Sequence, residues 1–176
     1  MEQLSKAEFR RLLQAARAHS VRDWLIILVG YYHALRVSEL TEFRRDAIKD
    51  GHLTIQRKKG SEKTTQPLFS SSDPLLDERK ALVEWALKTP FNQPLFNIST
   101  RTVQRMVKRH AKTAGIPEHK AITRILKQTC GRQMADEKPL HYVQRYLGHK
   151  SLKSTGAYTR VNDEEASAAA CAVLGR

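Results

Sequence analysis

His52-Leu-Thr-Ile-Gln-Arg-Lys-Lys-Gly-Ser-Glu-Lys-Thr-Thr-Gln-Pro-Leu-Phe69 is the one stretch of this chain that reads convincingly as β structure. Leu53 and Ile55 alternate with polar neighbours, the period-2 pattern of a strand with one buried face. Lys58-Lys59-Gly60-Ser61 supplies a turn, and an extended pattern beginning at Thr64 resumes over 66–69. With Ala47-Ile48 as a candidate first strand, this predicts a small hairpin or three-stranded antiparallel sheet.

Outward from the hairpin the chain reads as helix. Ser5-Lys-Ala-Glu8 is a capping box, with Leu4 and Phe9 placed as its hydrophobic staple. The helix it opens buries Phe9, Leu12, Leu13 and Ala16. A largely apolar, and therefore central, helix follows over 21–35, then a short helical turn over 38–43. Beyond Pro74 helices are predicted over 75–88, 99–114, 122–135, 139–147 and 152–158, with a last one from about Asp163. Gly115 followed by Pro117 closes the 99–114 helix in the usual way. No internal repeat or low-complexity linker divides the chain. The fold class expected is mainly α with a small three-stranded antiparallel β-sheet, as one domain over 1–176.

Composition narrows the function. The 176 residues carry 31 Lys and Arg against 18 Asp and Glu, a formal charge of +13. That excess suits a polyanion, and nucleic acid is the default because counterion release rewards each phosphate neutralised. No apolar run reaches membrane-spanning length, and the first residues lack the basic start and apolar stretch of a signal peptide. A cytoplasmic protein without a membrane partner is expected. Cys130 and Cys171 show no metal-ligand spacing and read as reduced thiols; no metal is expected.

Arg101, Arg105, Lys108, Arg109 and Lys112 fall within roughly 100° of arc when wound at 3.6 residues per turn. Val103, Met106, Val107 and Ala114 occupy the other side. A charge run is ordinarily a solvated helix face. Here no acid lies between Arg101 and Pro117, so i, i+4 pairs cannot neutralise the stripe, and contact with DNA phosphates is the favoured reading.

Separated segments carry the chemistry. His33-Ala-Leu-Arg36-Val-Ser-Glu-Leu40 places an arginine where a buried helix turns into the next. Lys59-Gly60 sits at the hairpin tip ahead of Pro67-Leu68. Near the end stand Leu147-Gly148-His149, then Thr155, then Tyr158, nine residues beyond the histidine. In this order and at these distances the set resembles the tyrosine recombinases and phage integrases, over nearly the whole chain. Taken singly, each residue has an ordinary reading: a helix-end charge, a turn lysine, a histidine cap, a core tyrosine.

The resemblance implies the catalytic-domain fold of that family and a site-specific recombinase that cuts and rejoins DNA strands through a 3′-phosphotyrosine on Tyr158. Arg36 would clamp the scissile phosphate, Lys59 would act as general acid and His149 would support the phosphate. Glu39, one turn on, is placed to orient the Arg36 guanidinium. The physical logic is phosphoryl transfer: a phenol is a poor nucleophile at its free pKa, and the phosphorane needs strong neutralisation. Guanidinium suits this because its planar fork donates two parallel bonds to phosphate. No cofactor is required, because the covalent phosphodiester conserves the bond energy. The partners implied are double-stranded DNA with a specific recombination site and further copies of the protein, assembled on DNA as a tetrameric synapse. The location implied is the nucleoid.

One motif departs. The family's His-x-x-Arg appears here as Arg124-Ile-Leu126-Lys127-Gln128-Thr129, with Arg124 at the His position and Lys127 at the second-Arg position. Lysine keeps the charge and loses the fork. Arg124 cannot act as a base; either it reaches the phosphate itself or His119, upstream, supplies the imidazole. Two readings stay open: a working recombinase, or a catalytically impaired homologue that binds DNA as an accessory or regulatory protein. A type IB topoisomerase-like enzyme shares the chemistry but not usually this compact ending. The family's N-terminal core-binding domain is absent from these residues, which are either an excised catalytic domain or one of the short recombinases that consist of little else, such as the fimbrial-switch invertases, whose Ser-Cys-Gly resembles Thr129-Cys130-Gly131. The Ala-rich tail, 162–176, resembles the family segment that packs into a neighbouring protomer, with packing in cis as the alternative.

Overall fold

In the computed structural model, the residues described are 2–58, 61–156, 168 and 170–172. The helices are α1 (Lys6–His19), α2 (Val21–Tyr32), α3 (Val37–Glu42), α4 (Glu78–Lys88), α5 (Thr100–Thr113), α6 (Arg124–Glu137), α7 (Leu140–Leu147) and α8 (Leu152–Thr155). The strands β1 (Ile48–Lys49), β2 (His52–Ile55) and β3 (Thr64–Pro67) form one antiparallel sheet in the order β1-β2-β3. The chain is mainly helical with a small three-stranded sheet, as its pattern predicts. Among the described residues no helix is long and apolar enough to cross a membrane.

α1 begins as its capping box requires. Ser5 Oγ accepts the Glu8 N–H at 3.1 Å, and Glu8 Oε2 accepts the Ser5 N–H at 2.7 Å. Its buried face is Phe9, Leu12, Leu13 and Ala16, and Leu4 is buried beside them. α2 is the axis of the fold, with every residue from Trp24 to Gly30 buried, and α1, α4 and α6 pack around it. Gly30 sets the closeness of that packing: a Cβ there would lie 3.1 Å from Leu40 Cδ1 and 3.2 Å from Leu126 Cδ1. α3 and α6, the two helices that carry Arg36 and Lys127, therefore approach the same turn of α2.

α2 stops at Tyr32, three residues before its apolar pattern does. Leu35 N–H bonds to Gly30 O at 3.0 Å and Ala34 N–H to Tyr31 O at 3.1 Å, with Ala34 left-handed at φ 49°. This is a Schellman stop with alanine where glycine is usual. Ala34 and Leu35 are still buried, so the hydrophobic pattern outlasts the helix. α4 likewise starts at Glu78 rather than 75. Asp73 Oδ1 accepts the Leu75 N–H at 3.0 Å in an Asx turn, and Asp77 caps the helix. The sixth helix opens at Arg124 rather than 122, and β1 lies one residue beyond the expected Ala47-Ile48.

In the sheet, Leu53 pairs with Gln66 and Ile55 with Thr64. Leu53 and Ile55 face inward as expected, but so do Thr64 and Gln66. A polar layer therefore lies between sheet and helices. Gln66 bridges His33 Nδ1 (2.7 Å) and the Tyr146 carbonyl (2.7 Å), and His33 Nε2 reaches Glu78 at 2.8 Å. Two further Schellman stops shape the site. Gly115 ends α5 through Ile116 N–H to Ala111 O, and Gly148 ends α7 through His149 N–H to Gln144 O.

Candidate active site

The Ala34 stop turns the chain so that Arg36 stands at the N-terminus of α3. Glu39 is 3% exposed and receives Arg36 twice, the backbone N–H at 2.8 Å and Nη1 at 3.1 Å. It also receives Arg57 Nη1 at 3.3 Å and the Lys58 N–H at 3.1 Å. Burial works to raise the Glu39 pKa, but the Arg36 N–H, the Arg57 charge and the Lys58 N–H outweigh it and hold the carboxyl below its ordinary value. Glu39 is thus a fixed anion that orients Arg36, whose Nη1 and Nη2 both lie 3.3 Å from Ser61 Oγ.

Arg57 is the residue that sequence reasoning missed. It follows the alternating stretch of β2 and is 4% exposed. Its guanidinium donates to the His33 carbonyl (2.9 Å), the Ala34 carbonyl (3.1 Å), Thr64 Oγ1 (3.1 Å) and the Tyr146 carbonyl (3.3 Å). It ties the end of α2, the sheet and α7 into one frame. The only signal in the sequence was an arginine where the alternation of the strand runs out.

The arm after β2 is fastened to the turn after α7. Glu62 N–H bonds to the Gly148 carbonyl at 2.7 Å, Ser61 pairs with His149 as a β-bridge, and Arg145 meets Glu62 at 2.8 Å. Gly148 is required twice over: its φ is +68°, and a Cβ would sit 2.7 Å from the Glu62 carbonyl oxygen. His149 Nδ1 lies 3.0 Å from Oγ1 of the buried Thr155. Burial, then the charges of Lys127, Arg36 and Arg57, push the imidazole down to about 4, so it is neutral near pH 7.

Lys127 is 8% exposed, on the inner side of α6. Its Nζ has no hydrogen-bond partner among the described residues. Burial, Arg57 and Arg36 push it down to about 8. A cavity of about 340 Å³ is lined by Leu35, Arg36, Val37, Arg124, Lys127 and Gln128, together with Thr123. Arg36, Arg124 and Lys127 thus meet at one cavity, and His149 is near enough to feel two of them. His119 does not join this group; it is exposed and lies 3.6 Å from Glu2. Lys59 and Tyr158 lie outside the described residues.

The α5 stripe is exposed along Arg101, Arg105, Lys108, Arg109 and Lys112. Acids from other elements correct the expectation that the stripe goes unneutralised. Arg109 lies 3.1 Å from the buried Asp23 of α2, and Lys108 lies 2.7 Å from Glu118. Arg101, Arg105 and Lys112 have no ion pair among the described residues. Asp23 also meets His110 (2.8 Å), Arg22 (3.1 Å) and His19 (3.2 Å). His19, Asp23 and His110 offer three ligand atoms within 4.8 Å of one another. Two guanidiniums already occupy that carboxylate, and their charge opposes a cation.

These features have a family. Residues 2–165 match the phage integrase family, and the chain belongs to it: it is a tyrosine recombinase homologue. It is 31% identical over 170 residues to tyrosine recombinase XerA of Pyrococcus furiosus, covering 90% of this chain and 57% of that protein. It is 28% identical over 176 residues to the type 1 fimbriae regulatory protein FimE of Escherichia coli, covering 90% of this chain and 85% of that one. The chain spans little more than half the length of the XerA relatives. The crystal structure of XerA recombinase superposes with a TM-score of 0.74 at 23% identity, over 97% of this chain and 62% of that one. The lambda integrase catalytic core does so with a TM-score of 0.65 at 21% identity, over 85% of this chain and 92% of that one. The fold is that of the tyrosine recombinase catalytic domain.

Proposed function

We infer that the chain is the catalytic domain, over 1–176, of a site-specific DNA recombinase that breaks and rejoins strands through Tyr158. The observation that carries this reading is the convergence of Arg36, Lys127 and Arg124 on one cavity, with Arg36 held by a buried carboxylate. Such a cavity suits an oxyanion: it offers guanidinium groups and an ammonium close together, with the neutral imidazole of His149 near enough to feel Lys127 and Arg36. The phenol oxygen of Tyr158, its proton passing to solvent, attacks phosphorus and the bond to the 5′-oxygen breaks. The 5′-oxygen leaves with a proton from Lys59, and the reverse attack by a 5′-hydroxyl reseals the strand.

Duplex DNA carrying a specific site is the substrate, and Arg101, Arg105 and Lys112 are the stripe residues best placed to bind its backbone, with Lys108 and Arg109 partly occupied by acids. A lambda integrase tetramer bound to a Holliday junction is among the related solved structures; assembly of this chain on DNA as a tetramer follows the same reading, and so does a place at the nucleoid. The second reading, a DNA-binding homologue of low activity, is favoured by the lysine at 127, which lacks the fork.

A nicked suicide duplex made from the DNA flanking the gene separates the two. The recombinase reading expects a covalent protein–DNA adduct that disappears in Tyr158→Phe; tight binding with no adduct would leave the accessory reading.

A further inference from the structure

Lys127 occupies a place where an arginine would stay charged whatever its surroundings. A lysine does not have to. The groups facing it are Arg36 from the α2–α3 turn, Glu39 from α3, Arg57 from the end of β2, His149 from the turn after α7 and, one turn along its own helix, Cys130. Arg124 lines the same cavity. The one carboxylate in this set is already shared between two guanidiniums and two backbone N–H groups. The surplus charge is positive, and the buried Nζ has no acceptor among the described residues. An ammonium there is opposed by both desolvation and like charge, and losing a proton relieves both.

We propose that Lys127 makes oxyanion capture in this pocket proton-dependent: its amine must carry a proton for a phosphate oxygen to be gripped beside Arg36, and on the alkaline side the empty pocket gives that proton up and takes it back when an oxyanion arrives. The balance is simple. A neutral Lys127 amine, one proton from solvent and the oxyanion become an ammonium hydrogen-bonded to the oxyanion, with no bond to phosphorus made or broken.

The position of Lys127, at about 8, puts this exchange within reach of ordinary buffers. Burial also lowers the Arg57 guanidinium from its ordinary value, against the Glu39 charge, and three other groups facing Lys127 titrate elsewhere. His149 at about 4 and Glu39, held below its ordinary value, are finished well below neutrality, and burial lifts the Cys130 thiol to about 12. This inference rests on reading the cavity as a phosphate site.

Sulfate is the probe, because its own charge does not change over the range. Calorimetric titration of the whole chain in buffers of different ionisation enthalpy reads the protons taken up per ion bound. Wild type is expected to take up a small fraction of a proton at about pH 7 and most of one at about pH 9, with affinity falling up to tenfold per pH unit above about 8. Lys127→Arg should bind sulfate with that component of uptake gone, and Lys127→Met should bind more weakly and also without it. Equal uptake in wild type and both variants, no uptake at about pH 9, or no sulfate binding at all overturns the proposal. Should Lys127→Arg fail to fold, Lys127→Met, which keeps most of the stem, carries the comparison alone. The recombinase reading fails separately. Proton-coupled sulfate binding with no adduct on Tyr158 retains the proposal and removes the recombinase. An adduct whose rate is flat from about pH 7 to about pH 9 does the reverse.

Discussion

Glu39 holds Arg36 at both ends: one carboxylate oxygen accepts its backbone N–H at 2.8 Å and the other accepts its guanidinium at 3.1 Å. Because the same carboxylate also meets Arg57 and the Lys58 N–H, a single buried anion sets the direction of the Arg36 guanidinium and the height of the arm that follows β2. Removing it would leave Arg57 buried beside Lys127 with no opposing carboxylate among the described residues.

Glu39→Ala is therefore expected to lower unfolding free energy by about 3 kcal/mol or more, since it strands a buried charge. Glu39→Gln should cost less. The folded-state pKa of Glu39 is depressed, so its contribution is complete above the unfolded value near 4.5 and is lost as pH falls through the folded value. Urea unfolding followed from neutral pH into the acid range should show a shallower acid loss in Glu39→Ala than in wild type.

Ala34 adopts φ 49° with its methyl fully buried. Ala34→Gly relieves about 1 kcal/mol of backbone strain and loses about 0.8 kcal/mol of methyl burial, so unfolding should shift little. Ala34→Val puts a β-branched side chain at the same left-handed position and should cost about 2 kcal/mol or more. Equal midpoints for the two variants would show that the turn does not need this conformation.

Gly148→Ala meets two obstacles, a positive φ and a carbonyl oxygen 2.7 Å from the new Cβ. A loss of about 2 kcal/mol is expected. Hydrogen exchange gives the sharper readout. Protection should fall at Glu62, whose N–H bonds to the Gly148 carbonyl, before it falls in α2.

The α5 stripe divides into unpaired and paired cations. Arg105→Ala should reduce the salt slope of DNA binding by about 1 while leaving stability unchanged. Arg109→Ala should do the opposite in proportion, with a smaller change in slope and a measurable loss of stability, because Arg109 supports the buried Asp23. Equal slopes in wild type and Arg105→Ala would return the stripe to a solvated face.

Much of this was legible from the chain alone, for reasons that are local. A capping box acts within four residues, and so α1 and its buried face could be read from Ser5, Glu8 and the spacing of Phe9, Leu12, Leu13 and Ala16. Strand alternation acts within six, and so Leu53 and Ile55 announced the sheet. The order of Arg36, Lys59-Gly60, Leu147-Gly148-His149 and Tyr158 identified the family before any contact was known. The end of α2 was misplaced because burial, not helicity, keeps Ala34 and Leu35 apolar. Asp23, far from Arg109 along the chain, was invisible to a search for acids at helical spacing.

The sequence by itself determined the fold class and the family. Only the tertiary structure decided that Arg57 is a buried tie, that Thr64 and Gln66 face inward, and that Lys127, buried beside Arg36 and Arg57, finds no hydrogen-bond partner among the described residues. The reason is physical. Helix caps and strand periods depend on near neighbours in the chain. Burial and charge at a point depend on everything within a few ångströms through space, and at Lys127 those neighbours come from α3, the end of β2 and the turns after α2 and α7.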